Sequence, residues 1–274
     1  MRVVLRCPVR GCGQPLNDDA SRWACPRKHS FDRHRFGFLN LLQPQDRRSR
    51  NPGDSREAAQ ARRRLASRGH TDPVHQALAR VVRSRFGLGP ASLLDVGCGE
   101  GGLLRALAGI PDLERHGVDI SPPSIELAAK ASPEVLFVVA NADRSLPYGA
   151  ESFDVVTSVD SRANAPEFER VLTRPGLVLV AVPGPDDLIE LRERIQGVKV
   201  LKVRGDRVGE ELDHRFILAD RIVVRVSREF EPADLRDLLT ATYRGFRRSE
   251  RPAVEGLTSM TVTMSHDILA FERR

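Results

Sequence analysis

The sequence predicts an α/β protein: a mostly parallel sheet with helices on both faces, preceded by a small N-terminal module. Three observations predict it. Between Ala91 and Val180, apolar runs of strand length alternate with stretches of helical apolar spacing, the pattern of a parallel sheet covered by helices. Within that stretch, Ser92 to Gly102 reads SLLDVGCGEGG, a strand running through a tight glycine turn into a helix. Outside the alternation, Cys7, Cys12, Cys25 and His29 crowd into the first forty residues at C-x4-C and C-x3-H spacing.

Composition sets the bounds. A chain of 274 residues with 41% hydrophobic and 29% charged residues can bury a sizeable core and add one small module. No apolar run reaches transmembrane length. Met1 to Pro8 lacks the apolar region of a secretory leader, so a cytoplasmic location and no membrane partner are expected. The net charge of +6 is unevenly spread. Residues 1–85 hold 19 Lys and Arg against 7 Asp and Glu, a net +12, and the remainder is net −6. The first third therefore suits contact with a polyanion. The expected division is a module over 1–42, a basic linker and helix over 43–85, and the main domain over 86–274.

In the module, thiols kept reduced favour metal over disulfides. Thiolates and an imidazole at paired short spacings suit tetrahedral Zn²⁺, with Cys7, Cys12, Cys25 and His29 as ligands. Free thiols in a small apolar module are the alternative. Gly11 and Gly13 flank the second ligand, and Trp23, the only tryptophan, is placed to pack over the site. The run from Phe36 to Leu42 interleaves with Arg33, His34 and Arg35; packing within the module is favoured over base stacking, because so small a unit needs these side chains inside. Residues 43–56 are rich in Pro, Gly and Arg, the composition of a solvated linker or of a basic loop at a substrate entrance. A helix follows to Arg68, with Asp54 or Ser55 as N-cap. Its Arg62, Arg63 and Arg64 spread round the helix and cannot all face a core.

The main domain predicts strands at 92–95, 115–119, 135–139, 154–159 and 177–182, and helices at 102–109, 123–131 and 164–173. In open α/β sheets ligands bind outside the carboxyl ends of the strands. Asp95, Asp119, the turn 141–143 and the turn 160–162 all fall at such ends. Cys98, inside the glycine turn, reads as a small apolar residue. The spacing D-x-G-x-G-x-G differs from the G-x-G-x-x-G of dinucleotide binders, and Asp119 lies about twenty residues on, where a ribose diol could be held. A structural turn with no ligand is the alternative. Further on, a helix over 186–196, strands at 221–226 and 260–265 and a helix near 231–242 supply the late elements of such a sheet; Asp186 can cap the first of them.

D-V-G-C-G-E-G followed by G-V-D-I-S resembles motifs I and II of the class I S-adenosylmethionine (SAM) methyltransferases, a Rossmann-like fold. C…C…C-x3-H-S-F-D, G-F-L-N-L-L, R-x-P-G-D-S-x-E, A-R-R-x-L, G-H and D-V-G-C-G-E-G occur here in that order. Together they resemble the 23S ribosomal RNA (guanine-N1)-methyltransferases, a family that includes macrolide-resistance members. The resemblance implies a structural Zn²⁺ module joined to a SAM-binding domain that methylates a guanine in a 23S rRNA hairpin loop. It places SAM contacts at Thr71, Asp95, Gly97, Gly99, Glu100, Asp119, Ile120, Ala142, Asp143 and Asp187, and it implies a homodimer. Three departures stand out. The first spacing is C-x4-C rather than C-x2-C, Thr71 replaces a tyrosine, and Val159 to Arg162 lacks the aromatic-Ala-Pro of the family's motif IV. Proton loss from N1 needs an acceptor, and Asp160 and Asp54 are the candidates. The zinc module with Arg47, Arg48, Arg50, Arg62, Arg63 and Arg64 is expected to grip the RNA. Two other readings are a SAM methyltransferase of a small molecule and a zinc-ribbon RNA-binding protein with a non-catalytic Rossmann domain.

Overall fold

The computed structural model describes residues 3–19, 21–46, 52–197, 201, 203–242, 256 and 258–274. Arg47, Arg48 and Arg50 lie outside the described residues. The N-terminal module forms an antiparallel sheet from β1 (Asn17–Asp19), β2 (Arg22–Ala24) and β3 (Ser30–Asp32). Then β4 (Leu39–Asn40) leaves the module and pairs in parallel with a strand of the main sheet. Leu5 also bridges to Tyr148, and both are buried in one apolar cluster with Cys7, Cys25 and Phe153. The module thus shares a strand and a core with the domain behind it.

Helix α1 (Arg56–Ser67) starts at Ser55, whose hydroxyl accepts from Ala58 N at 3.1 Å, so Ser55 and not Asp54 is the cap. A second helix, α2 (Asp72–Phe86), lies in a stretch for which the sequence reading made no assignment; it buries Val74, Ala77, Leu78 and Val82 against the sheet. The alternation then runs as expected through β5 (Ala91–Val96), α3 (Gly102–Ala106), β6 (Leu113–Asp119), α4 (Pro122–Ala131), β7 (Leu136–Val139), β8 (Phe153–Val159), α5 (Ala165–Val171) and β9 (Leu172–Pro183). The chain closes with α6 (Ile189–Gln196), α7 (Gly205–Leu212), β10 (Phe216–Phe230), α8 (Pro232–Thr242) and β11 (Met260–Arg273).

The strand order is β10-β11-β9-β8-β5-β6-β7-β4. Strands from β4 to β9 are parallel, and β11 and β10 are antiparallel additions. This is the mostly parallel sheet with helices on both faces that the alternation predicted. Leu93, Leu94, Val155, Val156, Val178, Leu179 and Val180 are fully buried, as strands covered on both faces require. Fully burying each such side chain stabilises by roughly 1.5–3 kcal/mol. Among the described residues no helix is long and apolar enough to cross a membrane.

Several boundaries move. Helix α3 is shorter than expected because its last turn closes at Leu107. Helix α6 begins at Ile189 rather than at 186, since Leu188 takes a left-handed backbone (φ 54°) and the preceding residues form turns. Strands β10 and β11 are far longer than their apolar cores because each supplies half of one antiparallel ladder, from Phe216 opposite Arg273 to Phe230 opposite Met260. Helix α7 had no counterpart in the sequence reading.

Candidate functional site

Parallel strands leave their carboxyl ends side by side, and the site is built there. At the end of β5, Gly97 (φ 75°), Gly99 (φ 54°) and Gly101 (φ 81°) turn the chain into α3 through left-handed backbone. A Cβ on Gly97 would stand 2.2 Å from Ser161 Oγ, whereas one on Gly99 would meet nothing within 4 Å. The first glycine is needed for packing, and the second leaves backbone bare toward the space beyond.

Asp119, at the end of β6, fastens that turn: its carboxylate accepts from Gly99 N at 2.9 Å and from Ser121 N at 2.7 Å. Burial raises its pKa against the pull of those two N–H groups. Asp95 accepts the Thr157 hydroxyl at 2.7 Å, and burial pushes its carboxyl up to about 7. Glu100 is buried between Arg63 (3.1 Å) and Arg105 (2.7 Å), so its carboxylate ties α1 and α3 to the turn.

A cleft of about 990 Å³ opens beside this turn. It brings together Thr71, Asp95, Gly97, Gly99, Glu100 and Asp187 of the expected cofactor residues, and Asp160 of the expected catalytic ones. The Thr71 hydroxyl is buried and has no hydrogen-bond partner among the described residues, so a polar ligand group would complete it. Asp187 accepts from Ser265 N at 3.0 Å, and burial raises its carboxyl to about 6. Bare glycine backbone, an unsatisfied hydroxyl and buried acids are a donor set that fits SAM, a polar cation with an adenosine end.

Asp119, Ile120, Ala142 and Asp143 are not part of that lining. They stand at the ends of β6 and β7, beside Asp46 and residues 52–54, which form a strap ahead of α1. There Asn141 donates to Asp46 O at 2.8 Å and Ser121 to Asp54 O at 2.9 Å. Gly53 lies so close that a Cβ would be 2.6 Å from Ser121 Cβ. The strap therefore covers the neighbouring half of the strand ends. Asp143 faces Arg162 at 3.4 Å, and Ala142 O accepts from Asn164 at 2.8 Å.

After β8, Asp160 sits in left-handed backbone (φ 52°), with its N–H on Ala181 O at 3.0 Å. Both of its carboxylate oxygens lie 3.2 Å from His266 Nε2 on β11. Sequence reasoning missed His266, because the apolar pattern of the last strand stops one residue before it. It also missed His75, a cleft residue on α2 whose pKa burial lowers to about 4, which keeps it neutral. Asp54, the other expected acid, is paired with Arg62 at 3.3 Å in the strap and does not line the cleft.

The helix arginines are all paired within the fold and partly exposed. Arg62 binds Asp54 and Ala241 O, Arg63 binds Glu100, and Arg64 makes a bidentate pair with Asp237 of α8 at 2.6–3.1 Å. Their charges hold the fold's own acids, since a helix lying between the glycine turn and α8 meets carboxylates on both sides.

In the N-terminal module, Cys7, Cys12, Cys25 and His29 place their donor atoms within 4.8 Å of one another. Both Cys7 Sγ and Cys25 Sγ are 3.4 Å from His29 Nδ1, and Cys12 Sγ is 3.8 Å from Cys25 Sγ. A tetrahedron with zinc–sulfur bonds of about 2.3 Å has sulfur–sulfur edges of about 3.8 Å, so the cluster fits Zn²⁺. Gly11 and Gly13, both at positive φ, turn the knuckle despite its longer C-x4-C spacing. Trp23 and Phe31 pack on the cluster beneath, and His34 stacks on Phe38 at 4.2 Å; these rings serve packing, as expected.

Comparisons with known proteins agree with both halves. A methyltransferase-domain family model matches residues 93–179, and a zinc-ribbon model described as "RlmA, N-terminal" matches residues 5–50. A Streptomyces fradiae 23S rRNA (guanine(748)-N(1))-methyltransferase is 32% identical over 214 residues, 77% of this chain and 75% of its own. A Micromonospora griseorubida protein named for 23S rRNA (guanine-N(1)-)-methyltransferase activity is 36% identical over 77% of this chain and 76% of its own. Among solved structures, the YcgJ protein of Bacillus subtilis (18% identity, TM-score 0.52, covering 73% of this chain and 99% of that one) and a methyltransferase of Bacillus halodurans (16%, 0.51, 71% and 97%) share the fold. With its SAM-type glycine turn and its structural zinc ligands on one chain, this protein belongs to the 23S rRNA (guanine-N1)-methyltransferase family.

Proposed function

We propose that this protein transfers a methyl group from SAM to N1 of a guanine in a hairpin loop of 23S rRNA. The observation that carries the reading is the meeting of the glycine turn and Asp160 in one open cleft, on a chain whose basic first third carries the zinc ligands. SAM supplies an electrophilic methyl on a sulfonium, and positioning accounts for most of the catalysis such a displacement needs.

Thr71, Asp95, Gly97, Gly99 and Asp187 hold SAM in the cleft; Glu100 fixes the turn through Arg63 and Arg105. Asp119, Ile120, Ala142 and Asp143 hold it at the covered ends of β6 and β7, with Asp119 acting through the Gly99 N–H it binds. Asp160, at the motif IV position, is the acceptor for the N1 proton. A loop guanine leaves its stack at lower cost than a paired one, which suits a cleft without an aromatic platform. The zinc module and Arg47, Arg48 and Arg50 meet the RNA backbone. Arg62, Arg63 and Arg64, each paired but partly exposed, add to the positive field. A homodimer would place two such modules on one RNA; the long edge strand β10, with Ile217, Leu218 and Val223 exposed, supports a second copy at that edge.

The test is methylation of unmodified 23S rRNA with labelled SAM, mapped by primer extension. The expected result is one reverse-transcriptase stop at a guanine in a hairpin loop. Label without a stop would place the methyl on another atom, and no label on rRNA would move the reading to a small-molecule substrate.

A further inference from the structure

We propose that His266 is a positioning residue for methyl transfer: it holds the Asp160 carboxylate at the cleft beside the glycine turn, where that carboxylate takes the N1 proton of the target guanine. The inference rests on the reading above and deepens it.

The geometry separates an anchored group from a presented one. The His266 side chain is 10% exposed and that of Asp160 is 43% exposed. His266 lies midway along the ladder with β10, opposite Val224, and at the last pair of the ladder with β9, opposite Pro183, so its ring is carried by backbone with a strand on either side. Asp160, by contrast, follows β8 in a left-handed conformation (φ 52°) that L-residues adopt sparingly. Such a residue keeps its place when its neighbours over-determine it. Here the Ala181 carbonyl takes its N–H, and His266 Nε2 stands 3.2 Å from each carboxylate oxygen. Ser161, the next residue, fills the space against Gly97. The carboxylate is thereby tied in register with the turn that holds SAM.

The charges around the pair are consistent with this role. Burial works against the His266 imidazolium, but Asp160, Asp187 and the adjacent Asp267 outweigh it and hold His266 above its ordinary value. Asp267 itself pairs with Arg221 at 2.6 Å, which leaves Asp160 as the carboxylate His266 contacts. His75 of α2 is kept neutral by burial, and the nearby His266 adds to the lowering of its pKa. Arg62 and Arg204 act on Asp160, and Arg192 on Asp187. Partial desolvation at the cleft wall would raise Asp160, yet His266, Arg62 and Arg204 hold it below the usual carboxylate range, so it is ionised at neutral pH and ready to accept.

Guanine N1 loses its proton to an Asp160 oxygen and keeps the electron pair, which forms the new bond to the methyl carbon as the carbon–sulfur bond breaks with its pair left on sulfur. The ring's hold on the proton weakens as that bond forms, so a carboxylate suffices as base. Asp160 is exposed to the open cleft and returns the proton to water.

Two measurements test this. The first is ¹⁵N NMR of the histidine rings against pH, in the wild type and in Asp160→Asn, without SAM or RNA. His266 should titrate above its ordinary value in the wild type and fall toward it in the variant. A wild-type His266 at or below the ordinary value overturns the proposal whatever the RNA substrate proves to be. The second is single-turnover methylation of the 23S hairpin at several pH values. His266→Ala should lose on the order of 10- to 100-fold in rate with SAM affinity within about twofold, and its acid limb should move to higher pH as Asp160 loses its cationic neighbour. His266→Gln keeps a donor without the charge; it should recover much of the plateau rate and keep the shifted limb. An unmoved acid limb in both variants, or SAM binding lost in parallel with rate, would overturn the positioning role. A wild type that methylates no guanine would sink the preceding reading, and the NMR result would still decide the pair.

Discussion

The zinc module and the eight-stranded sheet hold their shapes by different means. Strands β1, β2 and β3 have three residues each and few buried side chains, so apolar burial cannot fix them. Four donor atoms around one metal can: structural Zn²⁺ contributes about 10–16 kcal/mol of apparent binding energy to small modules that are unfolded without it. The sheet needs no such help, because both faces of its central parallel strands are buried under helices. The difference matches the two tasks. SAM requires groups fixed on rigid strand ends, whereas the surface proposed to meet the hairpin is small and basic, and its fold can depend on a metal. The two halves are joined at β4 and at Leu5, so the separation concerns energetics more than space.

The comparison can be broken or sharpened in order of expected effect. Cys25→Ser, or chelation, should reduce methyl transfer to 23S rRNA by more than about 100-fold by unfolding the module. Trp23, the only tryptophan, lies in that module, so its fluorescence should change while the far-ultraviolet signal of the sheet stays near wild type. On the other side, Gly97→Ala puts a Cβ 2.2 Å from Ser161 Oγ at a φ of 75°. It should weaken SAM binding on the order of 10- to 100-fold by calorimetry and lower stability by about 1–3 kcal/mol. Gly99→Ala meets open space and should cost stability only about 1–2 kcal/mol for the left-handed backbone.

A pH dependence follows from Asp187, whose carboxyl burial raises to about 6. Below that pH the free protein keeps the proton, and a cationic ligand favours the ionised form. SAM binding should therefore release protons and tighten as pH rises from 5 through 7, with Asp187 carrying the lower part of the rise and Asp95, pushed up to about 7, the upper part. Asp187→Asn should flatten the lower part of the profile measured by calorimetry. The smallest effect expected is from Arg64→Ala. Its pair with Asp237 is bidentate, but the arginine side chain is about half exposed, so denaturant titration should show a loss of about 1 kcal/mol with SAM affinity unchanged.

How much was legible in the sequence depended on how local the cause was. The glycine turn could be read because left-handed backbone at Gly97 and Gly101 demands that residue type within seven positions of chain. The metal ligands could be read because tetrahedral donors come in short paired spacings. Arg64 could not: its partner Asp237 is 173 residues away, and nothing near Arg64 tells a paired arginine from an RNA-facing one. His266 was hidden for the same reason, since it meets Asp160 only after β11 inserts beside β9. Nor could spacing show that the strap covers the ends of β6 and β7, because its contacts at Asp46, Gly53 and Asp54 are made by backbone.

The division of labour is tested most directly by titrating SAM into the zinc-stripped protein. The account predicts a dissociation constant within about fivefold of wild type, in a protein that no longer methylates the 23S hairpin. Loss of SAM binding together with zinc would contradict it, and would make the module part of the cofactor site.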